Sequence, residues 1–177
     1  MANKVSSPYR PIIELVTLLA AEAPRNFLPP SEGTRPSSQH VLAVALVKDT
    51  RRGYLIRVVN QINGCYEHGW FDGCAVMMRR MIETLIIECF EAHQISTEIK
   101  DPRSGDFLML KDLIDRLLAQ PKFNIGRVAK KGLGQLKEIG DLSAHGRRYN
   151  AHREDIDKLT TEFRVVCQEL LYLAQLK

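Results

Sequence analysis

The stretch of residues 71–93 is the feature that most constrains how this chain can fold. Its apolar residues leave no broad polar face on a helix: Val76, Met77, Met78, Met81, Ile82, Leu85, Ile86, Cys89 and Phe90. A helix that is apolar on nearly every side is covered by other helices. At about 20 residues it would be roughly 30 Å long, the span of a small domain. We therefore predict a buried central helix, with Asp72 as its N-cap.

Helical spacing of apolar residues also governs most of the remaining chain. The predicted helices span residues 39–63, 107–118, 125–145 and 154–176. The apolar pattern of the first weakens at residues 49–53, and Asp106 is the predicted N-cap of the second. The last of these repeats its apolar residues in steps of three and four, a seam that favours an antiparallel partner in the bundle or in a second chain. No segment of useful length alternates as a β-strand does. These patterns predict an all-α bundle of four to six helices.

The N-terminal region is expected to differ from this bundle. Pro11 opens a short apolar helix, and residues 24–38 hold four prolines and are typical of an irregular connector. Glu14 interrupts the apolar run and Pro24 follows it, which favours a helix over a signal peptide. We therefore predict two parts: residues 1–38 as a helical arm with a proline-rich connector, and residues 39–177 as the bundle.

Composition favours a cytoplasmic protein that does not enter a membrane. No stretch reaches the roughly 18 uncharged apolar residues of a membrane span. The four cysteines form no CxxC pair, and three of them lie in apolar helical patterns, so reduced and buried thiols are expected. Neither a metal site nor a cofactor is predicted, because no cysteine or second HxxxH accompanies the histidines.

Positive charge is concentrated in residues 122–153. This segment carries eight lysines and arginines against two carboxylates, a net charge of +6, whereas the whole chain carries +4. Any attraction for an anionic partner therefore belongs to this segment. A solvated basic surface without a ligand is the alternative.

Lys137, Asp141 and His145 are spaced four and four within the basic segment. At about 100° per residue they fall within an arc of roughly 80° on one helix face. A carboxylate one turn before a histidine can hold the imidazole by a hydrogen bond and raise its pKa. The alternative is a helix-end pair that ties a loop to the core. Arg79 and Glu83 also share a helix face, and we predict that they form a partly buried structural pair.

Two segments of this chain resemble the HEPN superfamily (higher-eukaryote and prokaryote nucleotide-binding domains). The closer match is to a bacterial branch of this superfamily, of unknown function, whose domains are often attached to restriction-type and defence proteins. Residues 54–83 are similar to two consecutive helices of that branch, one that begins with a tyrosine and one with an Arg-x-x-Leu-Glu core. Residues 136–145 are similar to that branch's Arg-x-x-Gly-Asn-x-Ala-Ala-His signature. The resemblance runs from about Val41 to the C-terminus and implies a HEPN-like helical bundle that dimerises.

The resemblance also implies a chemistry. HEPN ribonucleases need no metal, and the RNA 2′-hydroxyl attacks the phosphorus in line. Their motif is an arginine followed by a histidine: the arginine holds the phosphate and the histidine transfers protons. Here His145 matches the histidine and Asp141 takes the place of the usual asparagine. Gly140 stands where the nuclease motif has its arginine, and the branch's own upstream arginine is Lys137, which lacks the bidentate fork.

Three functions remain open from the sequence. The first is a HEPN-like dimer that binds RNA or a nucleotide through the basic region, for which we name Lys130, Lys131, Lys137, Arg147, Arg148 and His152. The second is a non-catalytic dimerisation or interaction module that engages a protein partner in a defence or toxin–antitoxin system. The third is a metal-independent endoribonuclease with His145 and Asp141 as its catalytic residues, although the motif arginine is missing.

Overall fold

The computed structural model describes residues 33–177 together with Ile12, Leu15 and Thr17, and the chain divides into two compact units, Met1–Thr34 and Arg35–Lys177. Of the predicted N-terminal helix, Ile12, Leu15 and Thr17 are described, and all three are helical. The rest of that helix and most of the proline-rich connector lie outside the described residues. The second unit contains the predicted central helix and the motif around His145.

Five α-helices form the second unit. They are α1 (Gly53–Glu67), α2 (Phe71–Ala92), α3 (Leu110–Ala119), α4 (Arg127–His145) and α5 (Arg153–Leu173). Short 3-10 helices cover Val44–Leu46, Lys48–Thr50 and Ser96–Ile99. Within residues 33–177 the extended pairing is limited to one isolated bridge between Lys100 and Phe107. The predicted all-α bundle is confirmed, whereas its HEPN likeness stays a prediction.

Helix α2 is the centre of the bundle, as its composition predicts. It packs against α1, α3, α4 and α5, and residues from Cys74 to Phe90 on several of its sides are buried. The prediction that Asp72 caps this helix is wrong, because the N-cap residue is Trp70 and Asp72 lies in the first turn. The Asp72 carboxylate instead accepts a hydrogen bond from the backbone N–H of Ala151 at 2.9 Å, which links the start of α2 to the start of α5.

The weak helical pattern at residues 49–53 corresponds to a real break. The second 3-10 helix ends there at Thr50, Arg51 adopts a left-handed φ of 57°, and α1 begins at Gly53. Asn63 is buried in α1 and accepts hydrogen bonds from the backbone N–H groups of Val41 and Leu42, at 3.0 and 3.2 Å. This side chain therefore fixes the preceding segment to the bundle.

The start of α3 differs from the prediction. Asp106 is not its cap, since Phe107 pairs with Lys100 and the helix begins at Leu110 after an extended Met109. Residues 107–109 are therefore an extended approach to α3 rather than its first turn, and Met109 is left 70% exposed.

The apolar seam of α5 packs against other helices of the bundle. Ile156, Phe163, Val166 and Leu170 are buried, and α5 packs against α2 and α4. Gly132 of α4 permits close packing, because a Cβ there would lie 3.1 Å from a Val166 methyl group. Of the two partners that the sequence leaves open for this seam, the structure shows the one within the chain. No helix in the described part of the chain is long and apolar enough to cross a membrane.

Candidate functional site

A cavity of about 560 Å³ lies along the exposed face of α4 that carries the predicted motif. Its lining comes from three helices: Arg79 of α2, the Met109–Lys111 entry to α3, and Gly134, Lys137, Glu138, Asp141, Leu142, His145 and Gly146 of α4 and its end. The spacing of Lys137, Asp141 and His145 thus places all three at one concave site, as their shared helix face predicts.

Asp141 is held by two cations rather than by the histidine. Its Oδ1 accepts a 2.8 Å hydrogen bond from Nε of Arg79, and its Oδ2 accepts a 2.5 Å hydrogen bond from Nζ of Lys137. The predicted hydrogen bond from Asp141 to His145 is wrong for this structure, because neither carboxylate oxygen bonds to the imidazole. The two cations occupy the oxygens that the histidine would need.

These contacts set the charge state of Asp141. Partial burial raises the pKa of the carboxyl, but the hydrogen bond and charge of Lys137, followed by those of Arg79, outweigh burial and bring the pKa below its ordinary value. Asp141 is therefore a carboxylate at neutral pH, and it does not serve as a proton donor there.

Arg79 belongs to this site as well as to the predicted pair with Glu83. Its Nη1 lies 3.7 Å from Oε2 of Glu83, an ion pair beyond hydrogen-bond length, whereas its shorter contact is the bond to Asp141. The side chain is 21% exposed and lines the cavity. The predicted structural pair is present, but it is the weaker of the two contacts that Arg79 makes.

Gly140 explains how Arg79 reaches Asp141. A Cβ at position 140 would lie 2.6 Å from Cβ of Arg79 and 2.8 Å from its Cδ, closer than atoms can approach. Gly140, at which the HEPN resemblance places the motif arginine, therefore leaves room for the side chain of a different arginine, Arg79 of α2. Arg79 and Asp141 are 62 positions apart, so helical spacing gave no sign of this contact.

His145 is exposed at the last turn of α4 and makes no hydrogen bond or ion pair with any residue that the structure describes. Its imidazole is thus available to a ligand. A neutral histidine offers one donor and one acceptor, which suits it for proton transfer as well as for binding.

The other predicted binding residues do not line the cavity. Lys130 and Lys131 are exposed on α4, Arg147 and Arg148 are exposed in the turn after it, and His152 is the N-cap residue of α5. Of the six predicted nucleic-acid-binding residues, Lys137 alone lines the cavity. The sequence missed Lys111, which lines the opposite wall and pairs with Asp115 at 3.3 Å.

Metal chemistry has no evident site in this region. Among the residues that the structure describes, no group of three His, Cys, Asp or Glu side chains is placed to hold a metal ion. The cavity instead combines three cationic side chains, the carboxylates of Glu138 and Asp141, and an imidazole without a partner; Asp141 fixes two of the three cations. This combination can bind an anion and can present a proton donor or acceptor to it.

Comparison with known proteins gives a family. No curated protein and no solved structure matches the chain. A family model described as a domain of unknown function, DUF4145, matches residues 60–177. The match covers more than half of the chain, from the second half of α1 to the C-terminus, and it includes Arg79, Asp141 and His145. The chain belongs to the DUF4145 family of domains of unknown function.

Proposed function

We propose that this protein binds RNA or a nucleotide through the cavity at α4 and the basic residues around it. One observation carries the proposal: the imidazole of His145 has no partner in the described part of the chain, and it lies in a cavity that Arg79, Lys111 and Lys137 also line. Phosphate groups are ligands for such a site, because cationic donors bind them by charge-assisted hydrogen bonds.

The charge around the cavity supports an extended anionic ligand. Lys130, Lys131, Arg147 and Arg148 are exposed, and none of them forms an ion pair with a described residue. Cations without a carboxylate partner can neutralise phosphates and release the counterions condensed on them. The proposed surface therefore extends from the cavity along α4 and into the turn that follows it.

The experiment that tests binding is fluorescence anisotropy with a labelled single-stranded RNA. The affinity should fall steeply with salt, with a logarithmic slope of about −0.7 per phosphate that the protein neutralises. Lys130→Glu should weaken binding and flatten this slope. Lys48→Glu is the matched control, because Lys48 is also exposed but precedes α1. A flat titration of the wild-type protein at low salt would refute the proposal.

A weak ribonuclease activity is the catalytic extension of this proposal. The ribose 2′-oxygen would attack the adjacent phosphorus in line, the 5′-oxygen would leave, and His145 would transfer a proton to or from one of them. Cationic side chains of the cavity would stabilise the charge on the phosphorane. An RNA digest in the presence of a chelator should show cleavage by the wild-type protein and none by His145→Ala. Equal cleavage by both proteins would show that His145 does not take part in the cleavage.

The proposal keeps the homodimer that the HEPN resemblance implies. Two copies of the cavity facing each other would double the cationic surface that one RNA strand meets. Light scattering on the purified protein should give twice the monomer mass of 20.1 kDa. A monomer at micromolar concentration would refute the proposed dimer but would remain compatible with RNA binding by a single copy of the cavity.

A non-catalytic interaction module is the second candidate, and two observations favour it. The motif arginine is replaced by Gly140, and Met109 and Leu142 on the cavity lining are 70% and 41% exposed. Exposed apolar side chains beside charged ones are typical of protein-binding surfaces. Met109→Asp should abolish a protein–protein contact at this surface. RNA binding that is lost in this variant would favour the first proposal over the second.

A further inference from the structure

We infer that Arg79 anchors the phosphate group of a single nucleotide unit in the cavity at α4, and that Asp141 is the positioning residue that aims it. The inference rests on the proposed function and deepens it, since it assigns the ligand's phosphate to one side chain of α2. It also gives Asp141 a different role from the catalytic one expected from the sequence.

The donors of Arg79 carry the first step of the argument. A guanidinium has five N–H donors and cannot lose its charge in a protein. In Arg79 the Nε–H donates to Asp141 at 2.8 Å, and the four Nη–H groups make no hydrogen bond within the described residues, although Nη1 forms a 3.7 Å ion pair with Glu83. A side chain that is only 21% exposed and lines a cavity thus keeps a fork of N–H donors that is free to form hydrogen bonds. Such a fork matches two oxygens of a phosphate.

The fixed orientation of that fork is the second step. Asp141 holds the Nε edge of Arg79, and Lys137 holds the other oxygen of the same carboxylate. Gly140 removes the side chain that would collide with Arg79. Because the guanidinium is held before a ligand arrives, little side-chain entropy is lost when it binds. Asp141 is an anion and offers a phosphate no donor, so its contribution to the ligand passes through Arg79.

The cavity has room for about one nucleotide. Its volume of about 560 Å³ is within the range of small-molecule sites, roughly 300–1,000 Å³. Polar donors line one part of it, and Met109, Leu110 and Leu142 line another. A phosphate against Arg79 and a ribose or base against the apolar side chains would satisfy both parts. The unit can be a free nucleotide or one residue of an RNA strand.

Calorimetric titration with adenosine 5′-monophosphate and with adenosine tests the inference on the 177-residue chain. The wild-type protein should bind the monophosphate and should bind adenosine much more weakly. Arg79→Gln should lose about tenfold to hundredfold in affinity for the monophosphate, as expected when a charge-assisted bidentate contact is removed. Arg80→Gln is the matched control, because Arg80 is the next residue of α2 and is exposed outside the cavity. This variant should bind within about twofold of the wild-type protein.

A second variant keeps the test informative if Arg79→Gln does not fold. Arg79→Lys retains the charge beside Asp141 but loses the fork, so it should fold and still bind the monophosphate at least several-fold more weakly. Wild-type binding of RNA without binding of the monophosphate, or equal affinities of the Arg79 and Arg80 variants, would overturn the inference and leave the proposed function standing. Failure of the wild-type protein to bind RNA would overturn the proposed function as well.

Discussion

At the scale of single residues, the double pairing of Asp141 governs how the site responds to pH. Lys137 and Arg79 keep the pKa of this carboxyl below its ordinary value of 3.8 despite partial burial. A group whose folded-state pKa is lowered stabilises the fold above its unfolded pKa, and this stabilisation is lost as the pH falls through the folded pKa. The carboxylate of Asp141 is therefore paired with both cations at neutral pH, and it becomes protonated only in acid.

The corresponding prediction concerns Asp141→Asn. At pH 7 this variant should be less stable than the wild-type protein by about 1 kcal/mol, because Arg79 and Lys137 lose their shared anion at a partly exposed position. The difference in the free energy of unfolding should shrink as the pH falls below 4. Urea denaturation at a series of pH values measures it. A difference that is constant or grows in acid would contradict the pairing.

Thiol reactivity provides a second test at this scale. Burial raises the pKa of Cys74 to about 12, with a contribution from Cys65, and raises that of Cys89 to about 12; the pKa of Cys167 is raised further by complete burial. Burial also raises the pKa of Cys65, although this residue is only partly buried. Since the thiolate is the reactive form, all four should react slowly in the folded state.

We expect a thiol-specific chromogenic reagent at pH 8 to label Cys65 slowly and the other three thiols only after unfolding. Cys65→Ser should abolish the signal of the folded protein. Rapid labelling of more than one thiol in native protein would mean that the bundle opens far more readily than its burial indicates.

Individual contacts were predictable from the sequence only where both partners lie on one helix. The four-residue spacing placed Lys137, Asp141 and His145 on a common face, and the Arg79–Glu83 ion pair follows from the same rule. The contact of Arg79 with Asp141 depends on how α2 crosses α4, which no local pattern encodes. The expected bond from Asp141 to His145 is absent: Oδ1 of Asp141 bonds to Arg79 from another helix, and Oδ2 bonds to Lys137 of its own helix.

At the scale of secondary-structure elements, apolar periodicity predicted the interiors of helices better than their ends. The full apolar circumference of α2 and the seam of α5 indicated their burial, because only packed helices can cover such surfaces. The proposed caps Asp72 and Asp106 were wrong, since tertiary contacts use the residues nearby differently. Asp72 binds the backbone of Ala151, and the residue after Asp106 pairs with Lys100.

Helix α5 yields a stability prediction. Phe163 is fully buried against the bundle, whereas Tyr172 on the same helix is 73% exposed. Phe163→Ala should lower the free energy of unfolding by about 3–5 kcal/mol, through lost apolar burial and the cavity that remains. Tyr172→Ala should change it by no more than about 0.5 kcal/mol. Chemical denaturation followed by circular dichroism compares the two variants, and similar losses for both would contradict the placement of the seam.

At the scale of the whole molecule, the second unit has a hydrophobic core of its own. The buried core residues of the described chain run from Val41 to Ala174, and Asn63 fastens the first of them to α1. Residues 35–177 are long enough to bury such a core without disulfides or metals. This unit therefore has what independent folding requires.

We predict that a chain shortened to begin at Arg35 folds cooperatively. Its helical circular dichroism should be retained and its denaturant midpoint should lie close to that of the 177-residue chain. If residues 1–34 were required for folding, the shortened chain would show a broad transition or none. RNA binding by the shortened chain, measured beside the 177-residue chain, would show whether residues 1–34 contribute to binding.

The crossing of α2 and α4 at Gly140 also has an evolutionary consequence. The stem of Arg79 occupies the space that a Cβ at position 140 would need. A side chain introduced at position 140 would have to displace the stem of Arg79 or separate the helices. Positions 79 and 140 therefore compete for the same space, and the residue at either one restricts what the other can become.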